Sequence, residues 1–283
     1  MTQKKYKNIF PIKKFGQNFL INQKIVQSII TIINPKKKQI LLEIGPGLGA
    51  LTKPICRFLE KLIVIEIDPN ILFFLKKELF YPKLIVFCQD ALKFDYKYIF
   101  NQNNKLIRIF GNLPYNISTL LITHLFQNIN IIQDMNFMLQ REVAERLVAV
   151  PGNKNYCRLS IIAQYYCNIK ILLYIQPENF YPIPKVHSVF VNLTPHIHSP
   201  YFVYDINLLS SITKNAFQNR RKILRHSLKI FFSEKDLVQL EINPNLRAEN
   251  ISIIKYCQLA NNLYKKIKYS SKTNFDYSKD SKI

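Results

Sequence analysis

Ile40-Leu41-Leu42-Glu43-Ile44-Gly45-Pro46-Gly47-Leu48-Gly49-Ala50 is an apolar run that ends in a glycine-rich loop. Residues 40–44 have the length and aliphatic content of a strand covered on both faces. The spacing of apolar residues over 51–59 predicts a helix directly after the loop. Glycines at such a junction let the backbone turn tightly and approach a ligand closely. The helix that follows presents unpaired N–H groups at its start. Glu66 ends the next apolar run, about 20 residues on, where nucleotide-binding α/β folds carry a ribose-binding acid.

Two ligand classes fit this pattern. Gly45, Gly47 and Ala50 satisfy the dinucleotide fingerprint G-x-G-x-x-G/A. Gly45, Gly47 and Gly49 equally satisfy the G-x-G-x-G loop of enzymes that bind S-adenosylmethionine. Both ligands contain adenosine, and the Glu66 carboxylate can accept both ribose hydroxyl protons in either case. Asp90 follows the third strand and would project at the carboxyl end of the sheet, where open α/β folds bind ligands. It can accept a hydrogen bond from an adenine amino group or cap a turn. Glu43 lies inside the first strand. A carboxylate there is costly unless paired, so it supports the loop or a ligand's ammonium group.

Working outward, apolar runs at residues 40–44, 62–67, 84–87, 107–110 and 135–139 read as strands. Helical spacing appears at 24–33, 51–59, 71–79 and 118–126. Strand–helix alternation predicts an α/β fold with a mostly parallel sheet. Two further strands, 169–175 and 186–193, are joined by Phe180-Tyr181-Pro182-Ile183-Pro184 and suit a hairpin-like pair at the sheet edge. Pro195 and Pro200 bracket a polar stretch, which sets a first domain at 1–198. Helical spacing over 206–217, 222–231, 236–240 and 251–268 predicts a small all-helical domain at 199–268. Residues 269–283 are polar and expected to be disordered.

The chain of 283 residues carries a formal net charge of +22, with 31 lysines against 9 arginines. A polyanion partner explains this charge, as does drift toward lysine on the surface. No Asp or Glu precedes Glu43 while nine lysines do, so the N-terminal segment is a candidate RNA-facing arm. No apolar stretch approaches the roughly 18 residues of a membrane-spanning helix, and no secretory or transit pattern is present. A cytoplasmic protein without membrane association is expected. Cys56, Cys88, Cys157, Cys167 and Cys257 form no C-x-x-C, and His196 and His198 lack further ligands in sequence. No metal site is expected.

Gly111-Asn112-Leu113-Pro114-Tyr115 follows the fourth strand of this sheet. The lone pair of an aromatic amino group is delocalised into its ring, which makes it a poor nucleophile. Acceptors aimed at its hydrogens favour the pyramidal form and release that pair. The Asn112 side-chain oxygen and the Leu113 carbonyl are two such acceptors. Pro114 fixes the turn, and Tyr115 can stack on an extruded base, a contact worth roughly 1–3 kcal/mol. No strong base is needed, because a neutral amine loses its proton as or after the new bond forms. Alone, the tetrapeptide is a turn signal; its place after the fourth strand sets it beside the ligand crevice.

At this point the chain resembles the ribosomal RNA small-subunit adenine dimethyltransferases, from Lys14 to about Lys266. The resemblance rests on Phe15-Gly16-Gln17-Asn18-Phe19-Leu20, on the glycine loop, and on Gly111-Asn112-Leu113-Pro114-Tyr115-Asn116. It continues through Leu139-Gln140-Arg141-Glu142-Val143-Ala144, Pro182-Ile183-Pro184-Lys185-Val186-His187-Ser188 and Phe217-Gln218-Asn219-Arg220-Arg221-Lys222. His187 stands where an acidic residue is more usual. The resemblance implies a Rossmann-like class I methyltransferase sheet with a small C-terminal helical domain. It also implies S-adenosylmethionine as methyl donor, and dimethylation of N6 on two adjacent adenosines in a hairpin loop near the 3′ end of 16S ribosomal RNA. Asn18 and Leu20 would close over the cofactor, Gly45 would meet its methionine part, Glu66 its ribose, Asp90 its adenine and Asn112 the reacting methyl. The small ribosomal subunit is the implied partner, with the protein a monomer that contributes to subunit biogenesis.

Arg220, Arg221, Lys222 and Arg225 read as a basic cluster at a helix start, fit to grip RNA phosphates or to form a solvated face. Three other functions remain in view: a large-subunit methyltransferase of the macrolide-resistance type, a non-catalytic assembly factor and a nicotinamide oxidoreductase. The Asn219-Arg220-Arg221-Lys222 segment favours the small-subunit enzyme over the first.

Overall fold

The computed structural model describes residues 11, 12 and 15–276. Lys4, Lys5, Lys7, Lys13 and Lys14 of the lysine-rich N-terminal segment therefore lie outside the described residues, as do residues 277–283 at the other end. The chain forms two compact units, Met1–Glu145 with Tyr166–Pro195, and Arg146–Tyr165 with His196–Ile283.

The first unit is built on strands β1 (Phe19–Leu20), β2 (Ile40–Ile44), β3 (Leu62–Glu66), β4 (Leu84–Cys88), β5 (Ile107–Asn112), β6 (Ile132–Gln140), β7 (Cys167–Ile175), β8 (Phe180–Tyr181) and β9 (Ser188–Pro195). Seven of them form one sheet in the order β4-β3-β2-β5-β6-β9-β7. The run from β4 to β6 is parallel throughout. The β6–β9 and β9–β7 pairs are antiparallel, so the expected edge pair is present with β9 on its inner side. The connecting helices are α1 (Gln23–Ile33), α2 (Thr52–Ile55), α3 (Pro69–Leu75), α4 (Tyr96–Asn103) and α5 (Ser118–Leu125). Helices α6 (Arg141–Val148) and α7 (Arg158–Tyr166) carry the chain out of this unit and back.

Side chains alternate faces along a strand, and here both faces are covered. Leu41, Val64 and Phe110 pack in one cluster with Ile29 and Ile33 of α1 and Ile55 of α2. Leu42, Ile63, Ile65 and Ile109 point the other way and are buried as well. This explains the continuous apolar runs of the central strands. The sequence also predicted helices longer than those found: residues 51–59 yield only the four residues of α2, and 71–79 only the seven of α3. Helix α4 was not anticipated; its buried residues are Tyr96 and Ile99 alone, too few to print a clear 3.6-residue period. The two-stranded β1–β8 sheet was also unforeseen, since it joins segments far apart in sequence.

In this strand order β2 lies between β3 and β5. Successive strands are added on one side of β2 and then on the other, which opens a crevice beyond the carboxyl ends of β2 and β5. Gly111 lets those two strands approach: a Cβ there would overlap the carbonyl oxygen of Ile44.

In the second unit the helices are α8 (Ile206–Gln218), α9 (Leu224–Ser227), α10 (Glu234–Gln239) and α11 (Ile253–Asp276). Leu209, Ile212 and Ala216 of α8 pack with Leu224, Leu237, Leu259 and Tyr256. Tyr156 and Ile161 join this core from the Arg146–Tyr165 excursion, a segment the sequence reading had assigned to the first domain. The buried hydroxyls of Tyr156 and Tyr256 donate to the carbonyls of Ile251 and Ala248, at 3.0 and 2.9 Å. The helix expected over 222–231 contracts to α9. Helix α11 continues to Asp276, so the opening of the segment expected to be disordered has helical backbone. Among the described residues no helix is long and apolar enough to cross a membrane.

Gly111→Ala should destabilise the first unit by at least about 2 kcal/mol, because backbone rather than a flexible side chain must yield. Chemical denaturation followed by circular dichroism measures this, and an unchanged midpoint would contradict the close-approach argument.

Candidate active site

A cavity of about 620 Å³ opens at the carboxyl ends of β2, β3 and β5, within the range usual for cofactor sites. Its wall contains Asn18, Leu20, Gly45, Glu66, Asp90, Asn112, Leu113 and Tyr115, so every predicted cofactor and catalytic residue comes to one place. All belong to the first unit.

Gly45 begins the loop with φ +68°, a left-handed conformation that favours glycine. Its N–H donates to the carbonyl of Ile65 at 2.9 Å, which ties the loop to the end of β3. Glu66 closes that strand and is buried. Its Oε1 accepts from the N–H of Asp68 at 2.9 Å. Burial pushes its carboxyl up to about 7, against the opposing pull of backbone N–H groups at Asp68, Ile67 and Gly47.

Glu43 is the more extreme case. Burial raises it to about 8 and the charge of Glu66 adds to the rise, while the nearby Thr52 hydroxyl opposes it without reaching hydrogen-bond geometry. Its Oε2 and the Thr52 Oγ1 are both buried without a hydrogen-bond partner, an arrangement that compensates poorly for lost hydration. The cavity wall includes four carboxyl groups, Glu43, Glu66, Glu78 and Asp90, and two cations, Lys53 and Arg57. Burial keeps Glu43, and in part Glu66, in the protonated form, so the wall does not carry the strong positive charge of the chain as a whole. A ligand with positive charge would draw the two raised carboxyls toward ionisation, which a dinucleotide pyrophosphate would not.

Asp90 plays the turn role considered from sequence, since its Oδ1 accepts from the Leu92 N–H at 2.9 Å. It also lines the cavity. Leu20 lines the cavity too, yet it packs in the sheet core with Val26 and Phe180.

Asn112 ends β5. Its Nδ2 donates to the Asn18 carbonyl at 2.7 Å, which leaves Oδ1 as the acceptor of this amide. Leu113 is buried, and its N–H donates to Met138 on β6 at 3.2 Å. The Pro114 carbonyl accepts from Ile117 N–H at 3.2 Å and closes the turn ahead of α5. Tyr115 is anchored at its far end, its hydroxyl 2.6 Å from Oγ of the fully buried Ser188 on β9. Burial raises the Tyr115 hydroxyl above its ordinary value, so it stays protonated and can donate. This contact joins two segments recognised separately in the sequence; nothing in either announced it.

The arm over residues 15–20 is pinned on both sides. Gln17 donates through Nε2 to Asp68 Oδ2 at 2.8 Å, and its Oε1 accepts from the Ile12 N–H at 2.8 Å. Phe19 and Leu20 pair with Tyr181 and Phe180. Gln17, Asp68 and Ser188 were not singled out from sequence, although Gln17 and Ser188 lie in the quoted segments.

The basic cluster is elsewhere, in the second unit, and it divides. Arg220, Arg221 and Lys222 occupy the turn between α8 and α9, and Arg225 lies at the start of α9. Arg220 donates to the carbonyls of Lys154 and Tyr156 at 2.6 and 3.1 Å and pairs with Glu249 at 3.4 Å. Arg225 pairs with Glu234 at 3.5 Å. Those two brace the unit itself. Arg221 and Lys222 are exposed. His196 Nε2 lies 3.0 Å from the Gln164 carbonyl. Among the described residues, no group of three or more His, Cys, Asp or Glu is placed to hold a metal ion.

Comparison with known proteins bears on this site. Residues 12–265 match the family described as ribosomal RNA adenine dimethylase. A relative from Buchnera aphidicola subsp. Acyrthosiphon pisum (strain APS), ribosomal RNA small subunit methyltransferase A, is 67% identical over 263 residues, 93% of this chain and 96% of its own. A dimethyladenosine transferase from Plasmodium falciparum superposes with a TM-score of 0.75 at 27% identity, covering 88% of this chain and 98% of the other. The 23S rRNA methyltransferase ErmE shares the fold, with a TM-score of 0.66 at 18% identity over 87% of this chain and 99% of its own.

The buried acids give a pH test. Glu43 is raised from 4.5 to about 8, so the folded chain keeps a proton that the unfolded chain releases. Its contribution to stability is complete below about pH 4.5 and is lost as pH rises through 8. Glu43→Gln, which mimics the protonated form, should therefore gain melting temperature over wild type at pH 8 and show little difference at pH 5. Identical melting curves at both pH values would remove the case for a neutral Glu43.

Proposed function

The chain belongs to the ribosomal RNA adenine dimethylase family, and from that premise we propose that it dimethylates N6 of two adjacent adenosines in a hairpin loop near the 3′ end of 16S ribosomal RNA. S-adenosylmethionine is the donor in this reading, and the small ribosomal subunit is the partner. The observation that carries it is a single cavity wall holding Gly45, Glu66 and the Asn112–Leu113–Tyr115 cluster. A monomer acting in the cytoplasm, without membrane association, is the corresponding reading, since one chain supplies the whole wall. A role in subunit biogenesis belongs to it as well.

The residues present fit the cofactor. Glu66 would hold its ribose hydroxyls and Asp90, through the oxygen left by its turn, its adenine amino group. Gly45 would meet the methionine part. The unpartnered Oε2 of Glu43 suits a cationic neighbour, which would draw its carboxyl toward ionisation. Asn18 and Leu20 would border the same ligand. When bound, S-adenosylmethionine supplies an electrophilic methyl group.

The chain's own work is on the acceptor. Asn112 Oδ1 and the Leu113 carbonyl would accept from the adenine amino hydrogens and free the nitrogen lone pair. Tyr115, held at its hydroxyl by Ser188, would stack on the extruded base. Loop adenines are already partly unstacked, which reduces the cost of extrusion. Placement and electrostatics then supply most of the rate. Arg221 and Lys222 remain as candidate phosphate contacts, while Arg220 and Arg225 have structural partners.

Asn112→Ala should lower N6-dimethyladenosine formation roughly 100-fold or more, by analogy with removal of one preorganised polar contact, with S-adenosylhomocysteine affinity little changed. Mass spectrometry of rRNA from isolated small and large subunits reads this out; wild-type activity confined to large subunits would overturn the assignment. Arg221→Glu should weaken binding to the small subunit at fixed salt and leave cofactor affinity intact. Arg220→Glu should instead lower the melting temperature of the helical unit, and equal melting temperatures for the two variants would undo the division of the cluster.

A further inference from the structure

The Asn112 side chain reads differently to an incoming amine according to which of its two ends faces it. Oδ1 accepts from the amine, whereas Nδ2 would set donor against donor. The Asn18 carbonyl decides between them, because it accepts from Nδ2 at 2.7 Å. A flipped amide would bring Oδ1 against that carbonyl, two acceptors with no proton between them. The orientation of Asn112 thus depends on where residue 18 lies.

Residue 18 is placed by few contacts. Its own Nδ2 returns to the Gly16 carbonyl at 3.2 Å, a bond within the arm. On one side Phe19 pairs with Tyr181. On the other, Gln17 Nε2 donates to Asp68 Oδ2 at 2.8 Å. Asp68 is rigid and buried, since its other oxygen caps α3 by accepting from the Asn70 N–H at 2.9 Å. Both ends of the Gln17 amide are engaged, with Oε1 accepting from the Ile12 N–H.

We infer that Gln17 is a positioning residue for methyl transfer: its hydrogen bond to Asp68 fixes the arm so that the Asn18 carbonyl holds Nδ2 of Asn112 and presents Oδ1 to the acceptor amine. The inference rests on the role proposed above for Asn112. It makes the arm part of the chemical step, beyond covering the cofactor. Closure of the arm and orientation of the amide are then one event.

The test separates rate from affinity. Single-turnover methylation of small subunits is measured at saturating S-adenosylmethionine, with the dissociation constant for S-adenosylhomocysteine measured alongside. Gln17→Ala should lower the saturated rate about 10-fold through misplacement of a reacting group, beyond any change that extra cofactor can correct. Gln17→Glu sets two carboxylates face to face and should lower it at least as far. Adding Asp68→Asn to Gln17→Glu restores a donor and acceptor in reversed order and should recover most of the lost rate. A saturated rate equal to wild type in Gln17→Ala with weaker cofactor binding would reduce the arm to a cover. Failure of the double variant to recover rate, with its melting temperature intact, would also overturn the inference. Asn112→Ala and wild type, run in parallel, distinguish the levels: no methylation of small subunits by wild type sinks the proposed function, full activity in Asn112→Ala sinks the role of that amide and this inference with it, and loss there with no rate effect at Gln17 sinks only this inference.

Discussion

The site depends on how closely β2 and β5 lie at their carboxyl ends. Glu43 is level with Phe110 in the parallel register, and only a hydrogen at Gly111 leaves room for the Ile44 carbonyl. That approach sets the glycine loop, which continues β2, beside Asn112, which ends β5. A side chain at Gly111 would push apart the two halves of the cavity wall, the glycine loop and the Asn112–Tyr115 segment. The fold supplies the crevice; the missing Cβ sets its width.

Much of this was legible in the sequence. The central strands are buried on both faces and so read as unbroken apolar runs, which gave their number and approximate bounds. The glycine loop, Glu66 and the Asn112–Tyr115 segment could be assigned to strand ends, and strand ends of a parallel sheet share one edge. What could not be read were contacts between distant polar residues. Gln17 meets Asp68 and Tyr115 meets Ser188 because the fold brings them together; no periodicity encodes a single hydrogen bond. The basic cluster divides for a related reason. Arg220 and Arg225 look like their neighbours in sequence, but the carbonyls of residues 154 and 156 and the carboxylates of Glu234 and Glu249 absorb them.

Charge is distributed with a consistent logic. The chain as a whole is strongly basic, which favours long-range attraction to a polyanion. The cavity has more carboxylates than cations, and burial holds two of those carboxyls near neutrality. Net charge thus favours a polyanion at long range, while the raised carboxyls of the recess stay available to a cationic ligand that can draw them toward ionisation.

The excursion of residues 146–165 into the second core has a consequence for how the chain is made and how it can be divided. Strands β7 and β9, which complete the sheet, come after that excursion. During synthesis the first unit must wait for residue 195 to emerge, while a piece of the second is already exposed and lacks the helices that will bury Tyr156 and Ile161. A protein cut after residue 198 would keep every residue of the cavity wall and yet carry an orphaned apolar segment in its midst. The functional boundary and the folding boundary of this molecule do not coincide.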